Sequence, residues 1–264
     1  MKARRRAVTI LLVAGALAVG GFLFHLHSRQ TQLQGKVILK GIPPPEIPIQ
    51  LDTASARLHP RGLTTRHYRV AQDGGLANVL VYIKEGLNGQ TFAPPGKDAT
   101  IEFRRCQFEP YVIGVRTNQS IAFRNSDPFL QNVHCTPKAN GNRESNAALV
   151  PLTTDFRTIV RELIKFRWPW RGPRIRRSFP APEIFVRLKC DVHPWEFGYV
   201  AVLEHPFFAI SDKHGNFHFP PGLPPGKYTL EARHLKAGMV TQDVTVVEGE
   251  KKTVNFTLEV AARP

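Results

Sequence analysis

The stretch Val186-Arg-Leu-Lys-Cys190-Asp-Val-His193-Pro-Trp-Glu196-Phe-Gly-Tyr-Val200 places a thiol and an imidazole three positions apart, between two strand-like runs. On a turn that joins two strands, such a pair can converge on one ion. A mononuclear copper electron-transfer centre needs one Cys, two His and a weak axial group, held so that little moves between Cu(I) and Cu(II). The second imidazole has to come from a distant strand, and Phe123-Arg-Asn-Ser-Asp-Pro-Phe-Leu-Gln131-Asn-Val-His134 offers His134. Cys-x-x-His is a weak signal by itself, because isolated Cys and His residues more often serve the core. Cys106 and Cys135, the other cysteines, are open to two readings: an extracytoplasmic disulfide, or two buried thiols.

The elements around these residues read as short strands. Lys36-Val-Ile-Leu-Lys40, His67-Tyr-Arg-Val70 and Ala77-Asn-Val-Leu-Val-Tyr-Ile83 are rich in β-branched and aromatic residues. Residues 100–103, 111–115, 120–124 and 183–188 continue the pattern between Gly, Asn, Asp and Pro turns. Gly and Pro, 20 and 22 in number, are spread along the chain rather than clumped, as many strands and turns require. Near the C-terminus the apolar side chains recur with period two at Tyr228, Leu230 and Ala232 and again at Val254, Phe256, Leu258 and Val260. Asp212-Lys-His-Gly215 and Pro224-Pro-Gly226 are turn sequences expected to link the last strands as hairpins. The expected architecture is all-β, two consecutive sandwiches, the second small and antiparallel.

Two segments break that rhythm. After Met-Lys-Ala-Arg-Arg-Arg, residues 7–26 are apolar apart from Thr9 and His25. Twenty helical residues rise about 30 Å, enough to cross a bilayer. The basic start keeps that end cytoplasmic and sends the bulk of the chain to the extracytoplasmic side. An uncleaved anchor and a signal peptide cleaved after Ala16-Leu17-Ala18 both fit, and both export the protein. Residues 155–166 gather Phe156, Ile159, Val160, Leu163 and Ile164 on one helical face and Arg157, Arg161 and Lys165 on the other, then run into Trp168-Pro-Trp170. This segment reads either as an insertion packed on the sandwich or as an interfacial element binding an anionic membrane surface or acidic protein.

The net charge of +15, from 36 Lys+Arg against 21 Asp+Glu, comes mostly from the four basic residues before position 7 and the eight between 157 and 177. It therefore marks no nucleic-acid-binding domain. The sequence holds no Gly-rich phosphate loop, nucleophile elbow or His-Glu-x-x-His, so a non-enzymatic protein is expected.

Leu76-Ala-Asn-Val-Leu-Val-Tyr82, Asn125-Ser-Asp-Pro128 with Asn132-Val-His134, Cys190-Asp-Val-His-Pro-Trp195, His205-Pro-Phe-Phe-Ala-Ile-Ser-Asp212 and Pro225-Gly-Lys-Tyr228 carry a resemblance. The chain resembles exported bacterial plastocyanin-like (cupredoxin) proteins of the methylamine-utilisation-like type, with a C-terminal carboxypeptidase-regulatory-like domain. With residues 1–30 taken as the membrane anchor or signal, the resemblance implies a cupredoxin-like Greek-key sandwich over 31–204 with a basic insertion at about 137–182. It also implies a carboxypeptidase-regulatory-like sandwich over 205–264, a copper cofactor, and a redox partner in the cell envelope. Cys190 and His193 match the copper thiolate and imidazole. The family reads His-Asn-Val-His where this chain has Gln131, and Met just after His-Pro-Trp where this chain has Glu196. Residues 131 and 134 differ by an odd number, so on a regular strand they face opposite sides, and His134 replaces the missing ligand only if the chain bulges there. A carboxylate shifts the site toward Cu(II) or Zn. The candidate site is thus Cys190, His193, His134, Gln131 and Glu196, holding copper, zinc or nothing. The alternative is a non-catalytic interaction module that binds protein or carbohydrate in the cell envelope.

If residues 7–26 anchor the chain, carbonate washing leaves the full-length protein in the membrane fraction. Its release, or a mature N-terminus at Val19, identifies a cleaved signal instead.

Overall fold

The computed structural model describes residues 31–151 and 174–260. The expected membrane span at 7–26 and the amphipathic helix at 155–166 lie outside the described residues. Among the described residues no helix is long and apolar enough to cross a membrane.

In chain order the elements are β1 (Gln32–Lys40), β2 (Pro48–Ile49), α1 (Thr53–Leu58), β3 (Leu63–Thr64), β4 (Leu80–Glu85), β5 (Ala99–Phe103) and β6 (Phe108–Glu109). There follow β7 (Val112–Arg116), β8 (Ile121–Asn125), β9 (Gln131–Thr136), β10 (Ser145–Leu149), β11 (Arg174–Arg177), β12 (Glu183–Lys189) and β13 (Phe197–Leu203). The chain ends with β14 (Phe208–Ile210), β15 (Asn216–His218), β16 (Gly226–His234), β17 (Gly238–Val246), β18 (Lys251–Thr253) and β19 (Phe256–Glu259).

These strands form the two sandwiches that the all-β reading anticipated. In the first, the sheet β10-β9-β12-β13-β7 packs on β11-β8-β5-β6. Phe103, Phe108 and Phe123 fill the space between, with Val133, Cys135, Val186, Leu188 and Val200 from the facing sheet. Each fully buried Phe contributes roughly 1.5–3 kcal/mol by leaving water. In the second, β14-β4-β16-β17 packs on a sheet centred on β1, which pairs with β15, β18 and β19. Val37, Val81, Leu230, Phe217 and Phe256 lie between those layers.

The sheets do not divide at 204/205. β1 and β4 precede the first sandwich in sequence yet belong to the second, where β4 pairs with β16 from Leu80↔Arg233 to Glu85↔Thr229. The second sandwich is also not purely antiparallel, since β1 runs parallel to β18 and β19. Local pattern shows alternation but not which distant strand completes a sheet. The two expected C-terminal hairpins are likewise absent: Asp212–Gly215 leads from β14 in one sheet to β15 in the other, and Pro224–Gly226 leads back to β16. They cross between layers. Residues 67–70 form no strand beyond an isolated bridge of Val70 to Leu76, and 252–260 is split into β18 and β19.

Two close approaches need glycine. A Cβ on Gly35 would sit 1.7 Å from Val254 O, where β1 passes the β18–β19 link, and one on Gly114 would sit 2.5 Å from the Phe208 ring. The second contact lies between the sandwiches, where Leu80, Tyr82 and Phe208 pack against Phe185, Ala201 and Leu203.

The connection from β1 to β4 makes an excursion onto the first sandwich. Glu46 accepts from the backbone of His67 and Tyr68, closing its base. Arg66 anchors its side, pairing with Glu109 at 2.6 Å and lying 4.6 Å over the Tyr111 ring. The excursion carries α1 to the pole where the β12–β13 loop turns.

Residues 205–264 expressed alone lack β1 and β4 and are expected to stay unfolded, with a collapsed amide spectrum. Fusing residues 31–85 ahead of them should restore dispersion and a cooperative thermal transition. A dispersed spectrum from 205–264 alone would show that the shared strands are dispensable.

Candidate metal centre

The β12–β13 ladder runs to Lys189↔Phe197, so the seven residues from Cys190 to Glu196 form the loop at its end. Two backbone bonds hold the loop: Cys190 N to Glu196 O at 3.1 Å and Glu196 N to His193 O at 2.9 Å. On the other flank β12 pairs with β9, ending at Lys189↔His134. Three residues back along β9, Gln131 comes alongside the loop. Asn125 fixes the approach to β9 by donating to Phe129 O and Leu149 O and accepting from Asp127 N.

Cys190, His193, Glu196 and Gln131 meet at this pole, and all four are buried. The Cys190 thiol donates to Gln131 Oε1 at 3.3 Å, and His193 Nδ1 lies 2.9 Å from the same oxygen. Gln131 Nε2 donates to Asp127 Oδ2 and Glu196 Oε1, both at 3.1 Å. Because carboxylates accept, the amide nitrogen must face them, leaving its oxygen for the thiol and the ring. His193 Nδ1 is also 3.6 Å from Glu196 Oε1 and 3.8 Å from Cys190 Sγ, while Nε2 turns outward to Asp52 Oδ2 at 3.7 Å. Phe129 and Trp195 shield the ring, with centroids at 5.1 Å and 5.4 Å.

His134 does not join. β9 pairs regularly with β10 from Gln131↔Leu149 to Cys135↔Ser145. Without a bulge, Gln131, Val133 and Cys135 point into the sandwich and His134 points out. There its Nδ1 meets Asp191 Oδ2 at 2.7 Å and its Nε2 meets Glu144 Oε1 at 2.5 Å. His134 holds Asp191 down to about 2, and Lys189 and Asn146 reinforce the effect.

Sequence reasoning missed three participants. Asp52 caps α1, accepting from Ser55 N at 2.8 Å, and its second oxygen faces His193. The signal was Asp52-Thr-Ala-Ser55, an N-cap pattern on a helix only six residues long. Asp127 lies within the Asn125–Pro128 motif but was not read as part of the site. Cys106, open to a disulfide or a buried-thiol reading but not placed at the site, is a free buried thiol, as are Cys135 and Cys190.

Burial dominates the electrostatics. It pushes the Glu196 carboxyl up to about 8, with Asp127 and Asp52 adding to the rise against the Gln131 and Cys190 hydrogen bonds. It raises the Cys190 thiol, opposed by backbone N–H groups of Asn132, His193 and Val192, and it lowers His193 against the pull of Asp52 and Asp127. Cys106 and Cys135 are each pushed up to about 11 by burial.

The donor set fits a borderline divalent ion. Ligand atoms of Cys190, His193 and Glu196 all lie within 4.8 Å of one another. Glu196 Oε2 is a buried oxygen without a hydrogen-bond partner. Metal-bound imidazoles commonly donate their other N–H to a carboxylate, and Asp52 lies on that side of the ring, 3.7 Å from Nε2 and just outside hydrogen-bond distance.

Residues 200–259 match the carboxypeptidase regulatory-like domain. The match begins inside β13 and covers the strands that β1 and β4 complete. Comparison with curated proteins finds no match. Among solved structures, a purple cupredoxin from Nitrosopumilus maritimus is 18% identical over 40% of this chain and 99% of its own, with a TM-score of 0.28. An oxidised amicyanin variant is 13% identical over 46% of this chain and 97% of its own, with a TM-score of 0.30. A copper-containing nitrite reductase from Thermus scotoductus SA-01 is 17% identical over 45% of this chain, which spans only 26% of that enzyme, with a TM-score of 0.29.

The Glu196 shift sets a pH dependence for the chelator-treated chain. Below the ordinary value of 4.5 the carboxyl is protonated folded and unfolded alike, and its effect on stability is nil. From there to about 8 only the unfolded state ionises, so stability falls as pH rises through that window. Glu196→Gln should flatten this fall, making the variant more stable than wild type at pH 8 by on the order of 2–4 kcal/mol and little different at pH 4. Parallel urea-unfolding profiles for the two proteins across this range would remove the buried-carboxyl account.

Proposed function

We propose that this chain is an exported, membrane-anchored, non-enzymatic cupredoxin-like protein of the cell envelope that binds copper in its divalent state, and that it serves metal handling. The observation that carries this reading is the buried triad of Cys190, His193 and Glu196, whose carboxyl keeps one oxygen without a hydrogen-bond partner. A buried polar oxygen without a partner costs roughly 1–3 kcal/mol, and a cation would remove that cost. Cys190, His193 and Glu196 would hold the ion, and a copper ion there would supply thiolate-to-metal charge transfer and one-electron chemistry.

The protein's own groups have defined tasks. His193 must present a bare Nδ1, so its proton moves to Nε2, where Asp52 stands to accept the N–H. Cys190 and Glu196 must each lose a proton, and the three N–H groups around the sulfur favour the thiolate. Binding therefore releases protons and should strengthen as pH rises toward 8. The hard carboxylate and the single imidazole favour the divalent ion over Cu(I), which suits holding copper better than passing electrons.

Gln131 supports the second reading, an interaction module without metal. Its amide reaches Cys190, His193, Asp127 and Glu196 together and so satisfies most of the cluster without an ion.

Adding Cu(II) to the purified chain should produce a visible charge-transfer band that Cys190→Ser abolishes. Zinc binding dependent on the same thiol would be colourless. Asp52→Asn, which keeps an N-cap residue on α1, should weaken copper about 10–100-fold. Gln131→His should tighten it, and His134→Ala should leave it unchanged. A wild type that binds neither metal at micromolar levels leaves the interaction module standing.

A further inference from the structure

A second set of ligand atoms adjoins the first. Cys106, Asp127 and Glu196 place one donor atom each within 4.8 Å of one another, and all three residues are buried. The two triads share Glu196. Its Oε1 lies on the His193 side, 3.6 Å from Nδ1, and its Oε2 has no partner. Asp127 is fixed only by neutral donors, the backbone N–H groups of Arg105 at 2.5 Å and Cys106 at 2.9 Å and the Gln131 amide at 3.1 Å. Among the described residues neither Asp127 nor Glu196 has a Lys or Arg partner.

We propose that the pole binds two divalent cations, one on Cys190 and His193 and one on Cys106 and Asp127, with the Glu196 carboxylate bridging them. The inference rests on the first ion proposed above and adds the second. Charge supports the pair. Cys106, Cys190, Asp127 and Glu196 can together give up to four negative charges, enough to neutralise two divalent ions. Buried anions persist only when paired or coordinated. The chemistry of the second triad, one thiolate and two carboxylates, suits a zinc-like ion. Cys106 lies in a tight turn in which Arg105 and Cys106 both have positive φ, 52° and 55°, and whose backbone N–H groups both donate to Asp127.

Zinc is the appropriate probe, because it is redox-inert and accepts thiolate, imidazole and carboxylate ligands alike. The purified full-length chain, stripped with chelator, loaded with Zn(II) and freed of excess, is weighed by native mass spectrometry. Two zinc ions per chain are expected in the wild type. Cys106→Ser and Asp127→Asn should each lower the count to one, and Cys190→Ser should remove the other ion, with far-UV spectra confirming that each variant folds. One ion in the wild type, lost in Cys190→Ser and kept in Cys106→Ser, overturns the second ion and leaves the first reading intact. One ion that depends on Cys106 and not Cys190 overturns both assignments, as does a wild type without zinc. Two ions unaffected by Cys106→Ser and Asp127→Asn place the second elsewhere and overturn the proposal. The wild-type count stands even if every variant unfolds.

Discussion

A buried carboxyl with one satisfied oxygen governs the pole of the first sandwich. Glu196 sits at the foot of β13, and the two backbone bonds that shape the Cys190–Glu196 loop both involve it, one through its carbonyl and one through its N–H. Loop geometry and side-chain burial are thus inseparable: the fold that closes the hairpin drives the carboxylate inward. Once there, it needs a donor, and Gln131 supplies one. The same amide turns its oxygen to Cys190 and His193, so one side chain from β9 ties the loop to the neighbouring strand. An amide donates from its nitrogen and accepts at its oxygen, which suits a pole that offers carboxyls on one side and a thiol and a ring on the other.

The site is closed by chain that belongs, by sheet membership, to the other sandwich. The segment between β1 and β4 leaves the second sandwich, is clamped by Glu46 and Arg66, and lays α1 over the loop so that Asp52 faces His193. Arg105 donates to Leu58 O at 2.9 Å, and His59 Nε2 meets Arg105 O at 2.6 Å, stitching the far end of α1 to the turn that carries Cys106. The second sandwich holds both ends of the excursion in paired strands, so its integrity sets the position of the carboxylate behind the imidazole. Interleaving gives a structural reason for a two-sandwich chain: the C-terminal unit is part of the frame that positions the first.

Much of this was legible in the residues. Period-two alternation located β16 to within a residue, strand-forming composition located β12 at 183–188, and the Cys190–His193 spacing located the loop. Parity along β9 separated Gln131 from His134, since a strand without a bulge cannot turn both to one side. What local pattern could not carry was long-range pairing. Nothing in Lys36-Val-Ile-Leu-Lys40 distinguishes a strand of the first sandwich from one that runs parallel to β19 more than two hundred residues away. The same limit hid Cys106 and Asp127, which converge on Glu196 only after β5, β6 and β9 assemble. α1 escaped because six residues are too few to show helical periodicity.

Protons and the proposed metal ions would compete to neutralise the same buried charge. With protons on Cys190, Cys106 and Glu196 the cluster is nearly neutral, and the burial that raises all three groups holds it so. Desolvation penalises every bare anion, but a divalent ion placed between two of them reverses the sign of that term, because attraction across a few ångströms in a dry site is strong. The burial that makes Glu196 a weak acid is therefore what makes its carboxylate a strong ligand once a cation arrives. A solvent-exposed carboxylate at the end of β13 would ionise freely at neutral pH and gain far less from an ion. The closed loop, the amide of Gln131 and the α1 cap together keep water from screening that exchange.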